Sequence, residues 1–443
     1  MSLHCAKSCN IYLQIDLLSR MHAFFLWRKI YALKLSNQAK GMGRRYSCTS
    51  RSLIFLVGFA FLFGYQLFFN FRKTLIDRNE HLISNSIEIP SIFQSRWNER
   101  LFHLVRRFSH INLQVLHAIQ STANQTLTYS CVKNCGGWGD RLRGMTSTYI
   151  LSVCLRRRFL IDMPSPFELS YFLSPNFIDW RITTRPIHPV QINAMYGQQA
   201  DLFHRNLSTG NLTAIWSNDD HVFLTTNGDY ITPLLKNRFF RSIISEIGIR
   251  SNESTQQDLF PFIFELLFKP TSLIANRLNT LLRHTSQQPI LCMHIRLGQN
   301  PTIPNDAKLP YRQSLVSDMI EFIDRNLTDF RSSIFVTSDS MGSLEILRNH
   351  YGSRHVLTVD GPIIHIDRPN RKAESMKTIL RGFFKVITDF YFLGECDILL
   401  MPRSGFSHWA NLRRIHPYSN LYFYCRGLHR ITHSNWRRPH TVC

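Results

Sequence analysis

Short apolar runs alternate with longer amphipathic stretches throughout the carboxyl-terminal half of the chain. The clearest run begins after Pro289 and ends in His294-Ile-Arg296-Leu-Gly298, without the three- and four-residue spacing of a helix. This pattern predicts a strand that is buried on both faces, as in a parallel sheet. His294 and Arg296 are two residues apart and are expected on the same side of that strand, and Gly298 allows a sharp turn beyond them.

The residues that follow predict alternating helices and strands. After a proline-bearing loop at 300–310, helices are predicted at 311–326, 341–351, 374–393 and 408–414, and strands at 333–339, 355–359 and 397–401. This alternation is typical of a doubly wound parallel sheet, in which ligands bind outside the carboxyl ends of the strands.

A glycine-rich loop opens the more amino-terminal part of the fold. Cys135-Gly-Gly-Trp-Gly139-Asp140 precedes a helix predicted at 140–156 and a strand at 158–162. Glycines let the backbone approach a ligand, and a helix N-terminus favours an anion, although a plain glycine turn remains the alternative. Between 165 and 285 the pattern is less regular, and the aromatic stretches 167–180 and 260–268 are predicted to be core.

Three groups at predicted strand ends are candidates for binding a nucleoside diphosphate. Arg296 offers a planar, permanently charged fork for phosphate oxygens, with pairing to a nearby carboxylate as the alternative. The stretch Ser404-Gly-Phe-Ser407 offers backbone N–H groups and hydroxyls, or else a simple N-cap. Asp339 can accept hydrogen bonds from a base or a ribose, or else belong to a turn.

An uncharged apolar segment at 53–69 predicts a transmembrane signal anchor over residues 51–71. Nine Lys or Arg and one acid precede it, so residues 1–50 are predicted to be a cytosolic tail and the rest to be lumenal, with a stem at 72–127. A buried core helix is the alternative. Translation from either Met1 or Met42 is compatible with the sequence.

Sequons and cysteines agree with a lumenal location. Five Asn-x-Ser/Thr sequons follow the apolar segment and none precedes it, namely Asn124, Asn206, Asn211, Asn252 and Asn326. Seven cysteines also follow it, enough for up to three disulfides and one thiol. Cys131 and Cys135 have no second pair with the spacing of a zinc site, so disulfide bonding that fastens the following loop is predicted, with the pairing left open.

Composition narrows the class of protein without fixing it. The chain has 443 residues, of which 44% are hydrophobic, which excludes wholesale disorder and allows two domains. The net charge is +22, but the basic residues are scattered, so a nucleic-acid partner is not indicated. An anionic donor or an acidic membrane surface fits the same charge.

The motifs together resemble the fucosyltransferase superfamily, which includes the α1,2-, α1,6- and protein-O-fucosyltransferases. The resemblance rests on Gly136-Gly-Trp-Gly-Asp-Arg141, on His294-Ile-Arg296-Leu-Gly298, on the strand ending in Asp339, and on the segment 393–407. It implies a GT-B-like α/β fold of two Rossmann-like domains, 128–287 on the acceptor side and 288–430 on the GDP-sugar side, followed by a tail at 431–443.

The resemblance also implies the substrates and the roles of residues. The donor is GDP-fucose, transfer inverts the anomeric carbon, and no metal or other cofactor is expected. Arg296 and His294 are predicted to be catalytic, and Asp339 to bind the guanosine. Further donor contacts are predicted at Gly136, Gly137, Gly139, Arg141, Ser404, Gly405, Phe406 and Ser407.

Two departures leave the acceptor and the linkage open. Leu297 stands where many relatives carry a second arginine, and Gln299 stands where the α1,2 branch carries an acid. Asp140 is the first candidate for the base that deprotonates the acceptor, and Asp306 is the second.

The sequence therefore predicts a single-pass type II membrane glycoprotein of the Golgi, or of the endoplasmic reticulum, that transfers fucose to a glycan or glycoprotein. A GT-B transferase for another nucleotide sugar is one alternative. A catalytically silent lumenal protein that binds nucleotide or glycan is the other.

Overall fold

Two parallel sheets form the framework of the protein. The computed structural model describes residues 91–250, 255–285, 289–309, 314–327, 333–367 and 375–436, all within one compact unit that spans Pro90–Cys443. The predicted tail and membrane anchor lie outside these residues. Within the described ranges, no helix combines the length and the apolar character that crossing a bilayer requires.

The first sheet contains four parallel strands in the order β2-β1-β5-β4. The strands are β1 (Thr126–Ser130), β2 (Arg158–Asp162), β4 (Val190–Asn193) and β5 (His221–Thr225), while β3 (Leu173–Pro175) pairs with β6 (Phe268–Pro270) in a separate antiparallel ribbon. The strand predicted at 158–162 is confirmed to the residue.

Nine helices of four or more residues accompany this sheet in the described residues up to 285. They are α1 (Ile92–Arg107), α2 (Leu113–Thr122), α3 (Trp138–Cys154), α4 (Gly197–Thr209), α5 (Leu212–Ile215), α6 (Ile231–Lys236), α7 (Arg241–Glu246), α8 (Gln256–Leu267) and α9 (Ser272–Arg283). Of these helices, the sequence predicted only α3 as a distinct helix, with bounds two residues later in the chain than observed. It also predicted helical stretches in the region of α1 and α2. The aromatic residues of α8 are buried, as predicted.

The second sheet contains six strands in the order β11-β10-β7-β12-β13-β14, and only the edge strand β14 is antiparallel. The strands are β7 (Leu291–Ile295), β10 (Ile334–Ser338), β11 (Val356–Leu357), β12 (Ile398–Pro402), β13 (Leu421–Tyr424) and β14 (Leu428–Ile431). From β7 the chain adds β10 and β11 on one side and then crosses to β12 on the other. The crevice of this doubly wound sheet therefore lies at the carboxyl ends of β7 and β12.

Of the five helices described in this half, four were predicted and the short last one was not. They are α10 (Leu315–Asn326), α11 (Met341–Tyr351), α12 (Met376–Leu393), α13 (Gly405–Leu412) and α14 (His433–Trp436). Strand β7 is buried on both faces, because Met293 and Ile295 belong to one apolar cluster and Cys292 to another. The loop predicted at 300–310 is corrected by the structure. It contains an antiparallel hairpin of β8 (Gly298–Asn300) and β9 (Ile303–Lys308).

Helix α1, which the sequence places in the stem, packs into the folded unit. Its residues Phe93, Trp97 and Leu104 are buried at helical spacing. Trp97 donates from Nε1 to Glu265 at 2.8 Å, and the buried Arg100 forms an ion pair with Glu395. These contacts join α1 to α8 and to the end of α12.

Disulfides fasten both halves. Disulfide bonding at Cys131 and Cys135 is confirmed, and the structure shows that these two cysteines are bonded to each other. Cys292 on β7 is bonded to Cys396 before β12. Cys425 is also disulfide-bonded. Cys154 is the free thiol of the described residues, and it is buried.

Candidate functional site

One cavity of about 320 Å³ brings the predicted motifs together. It lies where the start of α3 meets the carboxyl ends of β7, β10 and β12, with α12 on another side. Nine predicted site residues line it, namely Gly137, Gly139, Asp140, His294, Arg296, Asp339, Ser404, Gly405 and Phe406.

The guanidinium of Arg296 lies between two carboxylates in this cavity. Nη1 donates to Asp339 Oδ2 at 2.7 Å, and Nη2 forms an ion pair with Asp306 of β9. The Arg296 side chain is 25% exposed, whereas those of Asp306 and Asp339 are 6% and 10% exposed. Arg296 therefore pairs with carboxylates, as the alternative interpretation expected, and it also faces the cavity.

Asp339 organises the turn that follows β7. Its Oδ1 accepts from the backbone N–H of Leu297 at 2.9 Å, and its Oδ2 accepts from Gly298 at 2.9 Å as well as from Arg296. Most of its hydrogen-bonding capacity is thus used within the protein. Its contact with guanosine stays a prediction.

His294 is buried beside Arg296, and its ring lies 5.4 Å from that of Phe406 between centroids. Burial, and then the neighbouring Arg296 charge, lower the pKa of His294 to about 3, so the imidazole is neutral at pH 7. Its Nδ1 has no hydrogen-bond partner in the described part of the chain. A buried ring nitrogen of this kind can form a hydrogen bond to a ligand in the cavity.

The glycine loop brings the start of α3 into contact with the start of α13. A Cβ added to Gly139 would lie 2.5 Å from the carbonyl carbon of Gly405 and 2.8 Å from the nitrogen of Phe406. Gly139 is therefore required where the starts of α3 and α13 touch. Gly136 has a φ of +85° and forms the turn before α3, outside the lining of the cavity.

Two predicted contacts face the protein interior. Arg141 is buried and donates from Nε to the carbonyl of Gly136 at 3.0 Å, and its Nη2 lies 3.6 Å from Asp367, so it braces the loop from behind. Ser407 is buried in the first turn of α13, with its Oγ 3.5 Å from the Ser404 carbonyl. Neither residue is part of the lining of the cavity.

Asp140, the first candidate base, is partly exposed at the mouth of the cavity. Its Oδ2 accepts from the Gly137 N–H at 3.2 Å in a capping box, and its Oδ1 accepts from Arg143 at 3.1 Å. Asp306, the second candidate, is held by Arg296 and lies 3.7 Å from His365 Nε2. Both carboxylates are therefore engaged within the protein.

Sequence reasoning missed Arg403, which stands immediately before the Ser-Gly-Phe-Ser turn. It is exposed, it lines the cavity, and its side chain forms no hydrogen bond or ion pair within the described ranges. Helix α13 begins at Gly405, three residues earlier than predicted, and Ser404 gives it no side-chain cap. Free N–H groups and an unpaired guanidinium are thus presented together to an anion. The sequence signal was an arginine directly after an apolar strand.

A buried pair on α12 was missed as well. Lys385 Nζ lies 3.0 Å from Asp389 Oδ2, which also accepts from Thr337 Oγ1 at 2.8 Å. Burial raises the pKa of Asp389, and Lys385 opposes that shift. Asp389 Oδ1 is buried without a hydrogen-bond partner in the described residues, and the same holds for Trp138 Nε1. Both residues line the cavity, which therefore offers an acceptor and a donor to a ligand.

The described ranges contain no group of three or more His, Cys, Asp and Glu residues arranged to hold a metal ion.

The fold of this chain, rather than its sequence, is similar to known proteins. No protein-family model matches the chain, and no curated protein matches it. Among solved structures, a variant of Arabidopsis thaliana FUT1 in complex with GDP is similar with a TM-score of 0.46 and 12% identity, over 77% of this chain and 81% of that one. The fucosyltransferase NodZ from Bradyrhizobium is similar with a TM-score of 0.43 and 14% identity, over 70% and 99%.

A third neighbour is POFUT1 in its apo-form, with a TM-score of 0.39 and 10% identity, over 69% of this chain and 99% of that one. These solved structures are of the class that the sequence motifs resemble.

Proposed function

We propose that the protein is a fucosyltransferase that uses GDP-fucose and transfers the sugar to a glycan or glycoprotein. The observation that carries this proposal is the cavity at the crevice of the second sheet. It joins an unpaired arginine, the N-terminus of α13 and three buried polar atoms without partners in the described chain, namely His294 Nδ1, Asp389 Oδ1 and Trp138 Nε1. A helix N-terminus next to a guanidinium is suited to a diphosphate.

The free oxygen of Asp389 suits a donor base that carries an exocyclic amino group, as guanine does and uracil does not. Guanine carries an exocyclic amino group that donates hydrogen bonds, and a carboxylate oxygen accepts them. Asp389 is held in position by Lys385 and Thr337, so its Oδ1 has a fixed place. Asp339 is placed less well for this role because its oxygens already bind Arg296 and the backbone of the turn.

In the proposed reaction, the acceptor hydroxyl oxygen bonds to C1 of fucose as the bond from C1 to the β-phosphate oxygen breaks. The electron pair of that bond goes to the diphosphate, and the hydroxyl proton goes to a carboxylate. Arg403, the N–H groups of α13 and Arg296 stabilise the charge that develops on the diphosphate. Direct displacement inverts C1, and with these cations the step is proposed to need no metal.

Asp140 remains the proposed base because it stands at the mouth of the cavity, where acceptor and donor would meet. Its hydrogen bonds to Gly137 and Arg143 hold the carboxylate in place. The proposal also includes a single-pass type II location in the Golgi or endoplasmic reticulum. It is supported by the charge asymmetry around 53–69, by the sequons and by the disulfides.

Incubation of the purified full-length protein with GDP-fucose and a glycan array tests the activity. GDP at 100 times its Kd should also stabilise the protein by about 2.7 kcal/mol, whereas UDP should not. Stabilisation by UDP alone would indicate a transferase for another nucleotide sugar.

A catalytically silent nucleotide-binding protein is the second candidate. The observation that favours it is that Arg296 is already neutralised by Asp306 and Asp339. Stabilisation by GDP, with no fucose transferred to any glycan or glycoprotein acceptor, would support this candidate over the transferase.

A further inference from the structure

A second chamber of about 520 Å³ lies next to the cavity described above. The two share four residues at their common border, which are Asp140, Arg403, Ser404 and Gly405. The second chamber extends from this border to the segment after β5, the start of α8, and α14. Its size falls within the range of small-molecule sites, about 300–1,000 Å³.

We propose that this second chamber binds the acceptor and that its ligand is a neutral saccharide. The inference rests on the proposed function, because it assigns the acceptor of that reaction. It concerns different residues from those that hold the donor, apart from the shared border.

The hydrogen-bonding groups of the chamber suit hydroxyl groups. Carboxylates from Asp140 and Asp229 and an amide from Gln257 provide acceptors, and Arg143 and the same amide provide donors. Gln257 is partly exposed, and its side chain has no hydrogen-bond partner in the described part of the chain. A saccharide presents both donors and acceptors at each hydroxyl and can therefore use all of these groups.

Trp436 supplies an independent observation that points to a ligand. The residue is 4% exposed and lines the chamber, and its Nε1 has no hydrogen-bond partner among the described residues. Its ring stacks on His408, with 4.7 Å between centroids and an angle of 16° between planes. A buried indole N–H without a protein acceptor is left for a ligand oxygen or a water molecule to satisfy.

The charges of the chamber disfavour an anionic ligand. With Arg403 at the border assigned to the diphosphate, the chamber keeps two carboxylates, Asp140 and Asp229, and one cation, Arg143. Burial, and then the Arg143 charge, lower the pKa of His408 to about 4, so His408 is neutral at pH 7. Sulfated or sialylated saccharides would add negative charge without a cation to match it. Arg403, the unpaired cation at the border, does not serve this purpose because it faces the proposed diphosphate.

The test is to replace Gln257 by leucine in the full-length protein, with Gln191→Leu as the matched control. Gln191 is exposed on β4, outside both cavities. Gln257→Leu should raise the KM for the acceptor by about 3- to 10-fold, since each lost hydrogen bond is worth about 0.5–1.5 kcal/mol. The KM for GDP-fucose and the Kd for GDP should stay within twofold of the wild type.

Trp436→Phe is a second variant that keeps the ring and removes only the N–H. The same two-substrate comparison should show a raised KM for the acceptor alone. If both variants leave the acceptor KM unchanged, or move the donor KM equally, the assignment of the chamber is wrong.

Direct binding separates this inference from the proposed function. A glycan array that carries neutral oligosaccharides beside their sulfated and sialylated forms is probed with the full-length protein without any donor. If the protein binds the neutral members and Gln257→Leu weakens that binding, the assignment of the chamber is supported. This holds even if GDP fails to bind and the proposed function is wrong. Preference for the charged members, or binding that Gln257→Leu does not alter, overturns the assignment.

Discussion

Replacement of Arg296 by alanine is expected to destabilise the fold as well as to abolish transfer. From the sequence alone, Arg296→Ala should remove turnover and leave the folded protein unchanged. In the structure, however, Arg296 is the ion-pair partner of Asp306 and one of three donors to Asp339. Both carboxylates are mostly buried, at 6% and 10% exposure, and the variant removes the guanidinium that pairs with both.

The magnitude follows from the burial of the pairs. Removal of one partner of a buried ion pair costs about 3–5 kcal/mol, and we expect the free energy of unfolding of Arg296→Ala to fall by about 3 kcal/mol, because the backbone N–H groups of Leu297 and Gly298 still satisfy Asp339. Most of the loss should therefore come from Asp306.

The assay is urea unfolding of the full-length protein in a double-mutant cycle of Arg296→Ala, Asp306→Asn and the double variant. The double variant should be more stable than the sum of the single effects predicts, by about 1–3 kcal/mol. Arg403→Ala is the matched control. Its side chain is exposed and unpaired in the described residues, so its stability should stay within about 0.5 kcal/mol of the wild type.

The same control separates stability from binding. Arg403→Ala should weaken GDP binding by about 10- to 100-fold, since a hydrogen bond to a charged group is worth about 1.5–3 kcal/mol. If Arg296→Ala unfolds like the wild type, or if the two substitutions are additive, Asp306 does not depend on Arg296 and the reasoning is refuted.

Three further predictions concern the support of the site. Gly139→Ala should lower both the stability and the affinity for GDP, because its added methyl group would collide with the backbone of Gly405. Gly405→Ala is the control, since its added Cβ would find no protein atom closer than 4.0 Å, and it should leave the stability unchanged and the GDP affinity within twofold. Equal effects of the two variants in thermal melting and calorimetry would contradict the close contact. Loss of the Cys292–Cys396 bond by a double serine substitution should cost about 3–5 kcal/mol in urea unfolding, more than loss of the short Cys131–Cys135 loop, because the sequence separation is 104 residues rather than 4. Because the pKa of His294 is lowered in the folded protein, the unfolded chain binds a proton below pH 6.5 while the folded chain does not. The stability should therefore fall as the pH drops below 6.5. A His294→Leu variant that loses stability as steeply as the wild type would count against this.

Four of the six strands described in the carboxyl-terminal sheet could be predicted from the sequence because their signals are local. Strand β7 is a short apolar run after a proline, and His294 and Arg296 follow from the two-residue period of a strand. The bounds of α11 were predicted to the residue, and those of α12 within two residues at the start. The placement of strand ends at one edge then follows from the topology of a parallel sheet.

The pairing of charges could not be predicted because it depends on contacts between distant segments. Asp306 reaches Arg296 through the β8–β9 hairpin, which the sequence presents only as a polar, proline-bearing loop. Asp389 lies in the second half of an amphipathic helix, where an acid is usually solvated, and only the neighbouring Thr337 and Lys385 explain its burial. Likewise, Asp229 and Gln257 belong to segments with no regular pattern.

The glycine loop shows what a motif of this kind reports. Glycines indicated that a backbone approaches closely, and the ligand was the expected partner. The structure shows that Gly139 approaches the backbone of Gly405 instead. The loop therefore joins the start of α3, which follows a strand of the first sheet, to the start of α13, which follows a strand of the second. That contact is what places Asp140 of the first sheet beside Arg403 and Ser404 of the second, at the border that both cavities share. Neither sheet carries this arrangement by itself, and a substitution that separates the two glycines should therefore disrupt donor and acceptor binding at once.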